Sequence, residues 1–148
     1  RYPHSPRFNR YNLCYLDPDE MTEVDAVVGA FMWIRRKALE QAGLLDERFF
    51  AFGEDIDLCY RIKVEQGWKV YYNPRVVVTH YKSQAMRKDA LRMNIQFYRA
   101  MWLFHEKHYA SKTFFLLNWL TALGTVGLCA TALVVNLLRP PAKRKVGL

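Results

Sequence analysis

The chain has 148 residues, room for one domain of ordinary size, and its 51% hydrophobic and 15% aromatic content excludes disorder for most of it. The formal net charge of +8 calls for an anionic partner: nucleic acid, a membrane surface or an anionic substrate. Much of that charge (Lys107, Lys112, Arg139, Lys143, Arg144, Lys145) flanks the most apolar segment, and no zinc-finger spacing or nucleic-acid motif occurs, so a membrane surface is favoured over nucleic acid. Cys14, Cys59 and Cys129 are odd in number and far apart, which argues against a disulfide framework and for a reducing compartment. The chain opens at Arg1 with no initiator Met and no signal-peptide pattern, as a fragment or incomplete gene product would.

Residues 1–24 are rich in turn-formers and aromatics and read as an irregular segment draped on a domain. Val24–Ile34 reads as a strand interrupted by Gly29 and Ala30. A glycine in such a run marks either a bulge or the close approach of another group. Arg36–Ala42 reads as a short helix closed by Gly43. A loop carrying Phe49, Phe50 and Phe52 follows, and then a helix over Glu54–Gln66 ended by Gly67. Trp68–Tyr72 and Val76–Thr79 read as strands separated by an Asn73–Pro74 turn, with His80 directly after. Met86–His108 has helical periodicity, with Leu91, Ile95, Tyr98 and Trp102 forming an apolar stripe among cationic positions. That pattern suits a helix packed on the domain and equally a helix lying on a membrane surface.

No charged residue occurs from Thr113 to Leu138, a length sufficient to cross the hydrocarbon core of a bilayer. Phe114, Phe115 and Trp119 near one end suit the interface. A single spanning helix is the first reading. A buried or surface-lying hairpin broken near Gly124–Gly127 is the alternative. Both flanks are basic, so charge bias leaves the orientation open, and one crossing from a cytosolic soluble part would place the basic tail outside, against the usual bias.

The run Gly53-Glu54-Asp55-Ile56-Asp57 puts three carboxylates at a helix start, where unpaired backbone N–H groups hold such groups in fixed geometry. Plain helix capping explains it. So does a general base within reach of a substrate hydroxyl. His80, at the end of a Val-rich run, is either a hydrogen-bonded structural residue or an imidazole for a metal or a phosphate oxygen.

Taken in order, these pieces resemble the C-terminal half of family 2 glycosyltransferases of the GT-A fold, especially rhamnosyltransferase-like members. The resemblance covers roughly residues 1–110. It rests on Gly29; on Arg35, Arg36 and Lys37; on GxxDExFFxxxEDxDLxxR, here Gly43, Asp46, Glu47, Phe49, Phe50, Glu54, Asp55, Asp57, Leu58 and Arg61; and on GWxVxYxPxxxxxH, here Gly67, Trp68, Val70, Tyr72, Pro74 and His80. Leu44-Leu45 and Tyr81-Lys82 depart from the usual pattern without touching the acidic core.

The resemblance implies an α/β chain forming the acceptor-side half of a GT-A, Rossmann-like nucleotide-diphospho-sugar transferase fold, followed by an amphipathic helix and a transmembrane helix. The expected divisions are 1–84 (partial catalytic domain), 85–112 (amphipathic helix), 113–138 (membrane segment) and 139–148 (basic tail). Asp55 is then the general base, with Glu54 beside it in the catalytic pair and Asp57 shaping the acceptor site. Gly29 and Ala30 face the donor sugar, Arg61 ties the helix to carboxylates or phosphates, and His80 approaches a divalent metal, Mg2+ or Mn2+, or the diphosphate. The implied activity is inverting transfer from a nucleotide-diphosphate sugar to a glycan or lipid-linked acceptor in cell-surface polysaccharide synthesis, on the cytoplasmic face of a membrane. The family's donor-binding half and the Asp-x-Asp metal motif in that upstream context have no counterpart here, since Asp55-Ile56-Asp57 belongs to the acceptor helix, so no turnover is expected of this polypeptide alone. A noncatalytic membrane-anchored module binding glycans or a partner is the competing reading, and a basic nucleic-acid binder a weaker one.

Overall fold

The computed structural model describes Ser5 and residues 13–80, 89–140 and 143–147. The expected helix start at Met86 and the Tyr81-Lys82 pair lie outside these residues. The chain divides into two compact units, Arg1–Gly43 with Cys59–Thr79, and Leu44–Leu58 with His80–Leu148.

In the first unit, β1 (Thr22–Val24) pairs antiparallel with β2 (Val70–Tyr72), with Thr22 opposite Tyr72 and Val24 opposite Val70. Helix α1 (Arg36–Ala42) has the bounds its composition predicts. Gly43 ends it at φ +80°, its N–H donating to Leu39 O at 2.8 Å. Val24, Ala38, Cys59 and Ile62 are the buried apolar residues of this unit. Helix α2 (Glu54–Tyr60) begins in the second unit and passes without a break into a π-helical turn over Arg61–Glu65. The expected Glu54–Gln66 helix is thus present, with its last part wound more loosely. Lys63 reaches from that turn to Val24 O at 2.8 Å and to Asp25 at 3.0 Å, and the Trp68 indole N–H donates to Gln41 at 2.7 Å.

Two expected strands differ from expectation. Of Val24–Ile34, only Val24 is in a strand, and Gly29–Ala30 form a turn. Val76–Thr79 is extended and exposed but joins no ladder among the described residues. A run of β-branched residues makes a strand only where a neighbour pairs with its backbone, and among the described residues neither run has one beyond Val24.

In the second unit, α3 (Ala90–His108) is capped by Asp89, whose carboxylate accepts the Arg92 N–H at 3.1 Å. His105, Lys107 and His108 occupy its last turn, where the Lys107 cation complements the helix dipole. Its buried positions are Ala90, Asn94, Tyr98, Ala100 and His108. The expected stripe therefore holds at Tyr98 but not at Ile95, which is exposed beside Arg92 and Arg99. A short 3-10 turn, Ala110–Lys112, leads into α4 (Phe115–Leu138). Helix α4 runs unbroken through Gly124 and Gly127 and is long and apolar enough to cross a membrane by length and composition. The hydroxyls of Thr121, Thr125 and Thr131 donate to carbonyls four residues back, each at 2.8 Å, which satisfies them within the helix.

Candidate functional site

Gly53 takes φ +83°, a backbone conformation that costs glycine little, and so turns the aromatic loop into the first turn of α2. Glu54, Asp55 and Asp57 all fall in that turn, facing the unsatisfied N–H end of the helix. They meet three different environments. Asp55 is half-buried and accepts the Ile56 N–H on Oδ1 at 2.8 Å. Glu54 is also half-buried, but its Oε2 is sealed and has no hydrogen-bond partner among the described residues. Such an oxygen needs a partner from outside the described set. Asp57 is 0% exposed.

Asp57 is compensated by the end of α3. His108 Nε2 donates to its Oδ1 at 2.7 Å, and Lys107 Nζ lies 2.7 Å from the same oxygen. Lys107 also reaches Asp46 Oδ2 at 2.8 Å, and Asp46 in turn is gripped by the Arg48 guanidinium. The Arg48 fork, and Lys107 after it, hold the Asp46 carboxyl well below the usual carboxylate range. The network joins the aromatic loop, the acidic turn and α3. Around it, Phe52 packs edge-on against Phe97, and Arg92 lies over the Phe50 ring.

Arg61 is buried, and its Nη1 donates to Ala42 O and Gly43 O, closing the carbonyl end of α1. It thus anchors the π-helical turn to α1 within the first unit. Gly29 and Ala30 are exposed in their turn, and Ala30 lines an open cavity of about 1560 Å3 whose walls include Phe31, Trp33, Trp68 and Tyr72. His80 is exposed. The divalent metal that the resemblance implies finds no ready cage, since among the described residues no three His, Cys, Asp or Glu side chains converge. His80 alone does not make a cation site, so no step is routed through a metal.

Asp46, Lys107 and His108 were given no site role from the sequence. Asp46 sits inside the matched motif, which was a usable signal. Lys107 and His108 carried none beyond standing at a helix end.

The family model described as glycosyltransferase like family 2 matches residues 8–98. That match spans both the acidic turn and the GWxVxYxP run. The chain belongs to this family. It is also 29% identical, over 147 residues, to the N-acetylglucosaminyl-diphospho-decaprenol L-rhamnosyltransferases of two Mycobacterium tuberculosis strains, CDC 1551 / Oshkosh and ATCC 25618 / H37Rv. Each alignment covers 99% of this chain and 47% of the relative, so the chain spans about half the length of the curated relatives it matches. No solved structure matches it. A family 2 glycosyltransferase domain accords with a GT-A fold.

Proposed function

We propose that this chain is the acceptor-side part of an inverting glycosyltransferase that moves a sugar, rhamnose by its rhamnosyltransferase relatives, from a nucleoside diphosphate to a lipid-linked glycan in cell-surface polysaccharide synthesis. The observation that carries the proposal is the acidic turn itself: a half-exposed Asp55 next to a Glu54 whose buried oxygen lacks a partner among the described residues. In the proposed step the Asp55 carboxylate takes the proton of the acceptor hydroxyl. That hydroxyl oxygen bonds to the anomeric carbon from the face opposite the diphosphate. The bond from the anomeric carbon to the phosphate oxygen breaks, and the nucleoside diphosphate leaves with the electron pair. Glu54 shapes and polarises the site beside Asp55, and Asp57, held by His108 and Lys107, fixes the turn that presents both.

In the same reading Gly29 and Ala30, the second of which lines the aromatic-walled cavity, face the donor sugar, and His80 meets the diphosphate. Arg61 acts through the fold, by holding the π-helical turn. Trp33 and Val77, each 90% exposed, accord with a face that packs on a nucleotide-binding half of a larger protein. The lipid-linked acceptor named for the relatives would bring the enzyme to a membrane, with its catalytic part on the cytoplasmic face.

The test uses the complete protein with a nucleoside-diphosphate rhamnose donor and a polyprenyl-diphosphate N-acetylglucosamine acceptor. Asp55→Asn is expected to slow transfer by roughly 10²–10⁴-fold, the usual worth of a positioned base, with donor binding unchanged. Equal rates for Asp55→Asn and the parent would remove Asp55 from the chemistry.

A further inference from the structure

The second unit contains a feature that sugar chemistry does not explain. Helix α4 has one face turned inward and one left bare. Asn118, Thr125, Cys129, Ala132 and Asn136 recur at helical spacing and are buried or half-buried. Leu116, Trp119, Leu123, Val126, Val134 and Leu137 recur on the other side, each more than half exposed.

The inward face is tied to α3 at both ends. His105 hydrogen-bonds Asn118 at 2.8 Å near the turn. At the far end the basic tail ties the two helices together. Asn136 Oδ1 accepts the Lys145 N–H at 2.9 Å, while Asn94 donates to Lys145 O at 2.9 Å and accepts from Gly147 N–H at 2.9 Å. Asn94 and Asn136 are both 0% exposed, so the clasp is dry. The far end of α4 therefore returns to the beginning of α3.

Helix α3 is equally bound on another side to the loop that carries the acidic turn. Arg92 lies over Phe50, Phe52 packs on Phe97, Ala100 adjoins Gly53, and Lys107 pairs with Asp46 and Asp57. A crossing by α4 in this arrangement would carry α3 and that loop into hydrocarbon with it. Arg92, Arg99 and Glu106 are exposed on α3. Each such charge costs about 2.5–3.5 kcal/mol at mid-bilayer, far more than an in-plane helix pays.

We infer that α4 does not cross a bilayer but lies along the surface of an anionic one, its bare face sunk among the acyl chains of one leaflet and its basic tail on the same side as the acidic turn. At about 1.5 Å per residue, the 24-residue helix presents an apolar strip about 36 Å long. Lys112 stands before it, and Arg139, Lys143, Arg144 and Lys145 follow it, so cations bracket the strip at both ends. An apolar strip ended by cations is what an anionic lipid surface complements. The placement also removes the conflict between a basic tail and the usual charge bias, because the tail never leaves its side.

The test has two arms and does not depend on which sugar is transferred. In the first, the complete protein and its Leu116→Glu/Leu123→Glu variant are sedimented with phosphatidylcholine vesicles, with and without phosphatidylglycerol. Both leucines are exposed, so the variant keeps its helices, as circular dichroism will report. The parent is expected to favour the anionic vesicles, and the variant to bind them at least about tenfold more weakly, a loss of roughly 1.4 kcal/mol or more. Equal binding by parent and variant would overturn the inference. So would a lipid-independent dimer that the variant turns into a monomer, since a second copy would then own the face. In the second arm, Lys112→Cys and Lys145→Cys in a Cys14→Ser background are labelled with a membrane-impermeant thiol reagent in sealed membrane vesicles. Both are expected to label from one side. Labelling of position 145 from the opposite side would establish a crossing and overturn the inference.

Discussion

His108 and Asp57 stand 51 positions apart in sequence, and their side chains meet at 2.7 Å with 1% and 0% of their surfaces exposed. Two positions before Asp57 is Asp55, on the same turn of helix. The end of α3 therefore holds the turn that presents the proposed base. Removing one partner of a buried ion pair costs about 3–5 kcal/mol when nothing else compensates the charge left behind. Here Lys107 stays at 2.7 Å, so His108→Ala is expected to cost about 2–3 kcal/mol, less than a full break. Urea denaturation measures it. Lys107→Ala and His108→Ala together are expected to cost more than the sum of the single losses, because each single change leaves Asp57 the other close partner. Strict additivity would mean that the two cations act separately.

Asp46 gives the acid limb of stability a definite sign. Its folded-state affinity for protons is lowered by the Arg48 fork and then by Lys107. A depressed carboxyl contributes stability that is fully present above its unfolded pKa of about 3.9 and is lost as pH falls toward the folded value. Asp46→Asn is therefore expected to lower unfolding free energy at pH 7 and pH 5 by the same amount. The gap to the parent is expected to narrow progressively below about pH 4. Denaturation series at these pH values decide it. A gap that stayed constant down to pH 2 would show that the depression is absent.

Local signals were legible where the chain settles its own structure. The bounds of α1 follow from good helix formers ended by Gly43, and α4 follows from an uncharged apolar run. The three carboxylates of the acidic turn were visible because they are adjacent. Legibility stopped where a partner lay far away. Val24–Ile34 and Val76–Thr79 have strand composition, yet the ladder described joins Thr22–Val24 to Val70–Tyr72. On α3 the expected stripe missed Asn94, which reads as a surface residue. It is buried because Ala90 O, Lys145 O and the Gly147 N–H use both ends of its amide. The Asp57 cluster was hidden for the same reason, since Lys107 lies 61 positions from Asp46.

Gly53 and Gly67 separate strain from crowding. Both have positive φ, +83° and +71°. A Cβ at Gly53 would meet the Phe49 ring at 3.2 Å and Ala100 Cβ at 3.5 Å, whereas at Gly67 it would meet nothing within 4 Å. Gly67→Ala is expected to cost about 1–2 kcal/mol, from left-handed backbone alone. Gly53→Ala adds displacement of a buried ring and is expected to cost roughly 1–3 kcal/mol more, the usual range for overpacking. Because Gly53 launches α2, its loss is expected to lower transfer activity as well, while Gly67→Ala retains it. Thermal denaturation and initial rates on the same two variants check both statements. Equal costs would place the whole effect in the backbone.

Glu54 sets stability against activity. Its Oε2 is sealed without a hydrogen-bond partner among the described residues, a cost of about 1–3 kcal/mol and more for a charged oxygen. In return the carboxylate gains about 0.3–1 kcal/mol from the N-terminal end of the helix. The first quantity is the larger, so neutralising the group is expected to stabilise the fold. Glu54→Gln keeps shape and length and leaves a neutral atom in the sealed position. It is expected to raise unfolding free energy by less than about 1 kcal/mol, because the sealed amide atom stays unsatisfied and the helix-end attraction is lost. The same change removes the negative charge beside Asp55, and transfer is expected to slow by about 10–100-fold, mostly in kcat/KM. Urea denaturation and steady-state kinetics on one preparation give both numbers. A variant that is less stable than the parent would mean that Glu54 has an internal partner, and one that is equally active would mean that its charge does not act on the site.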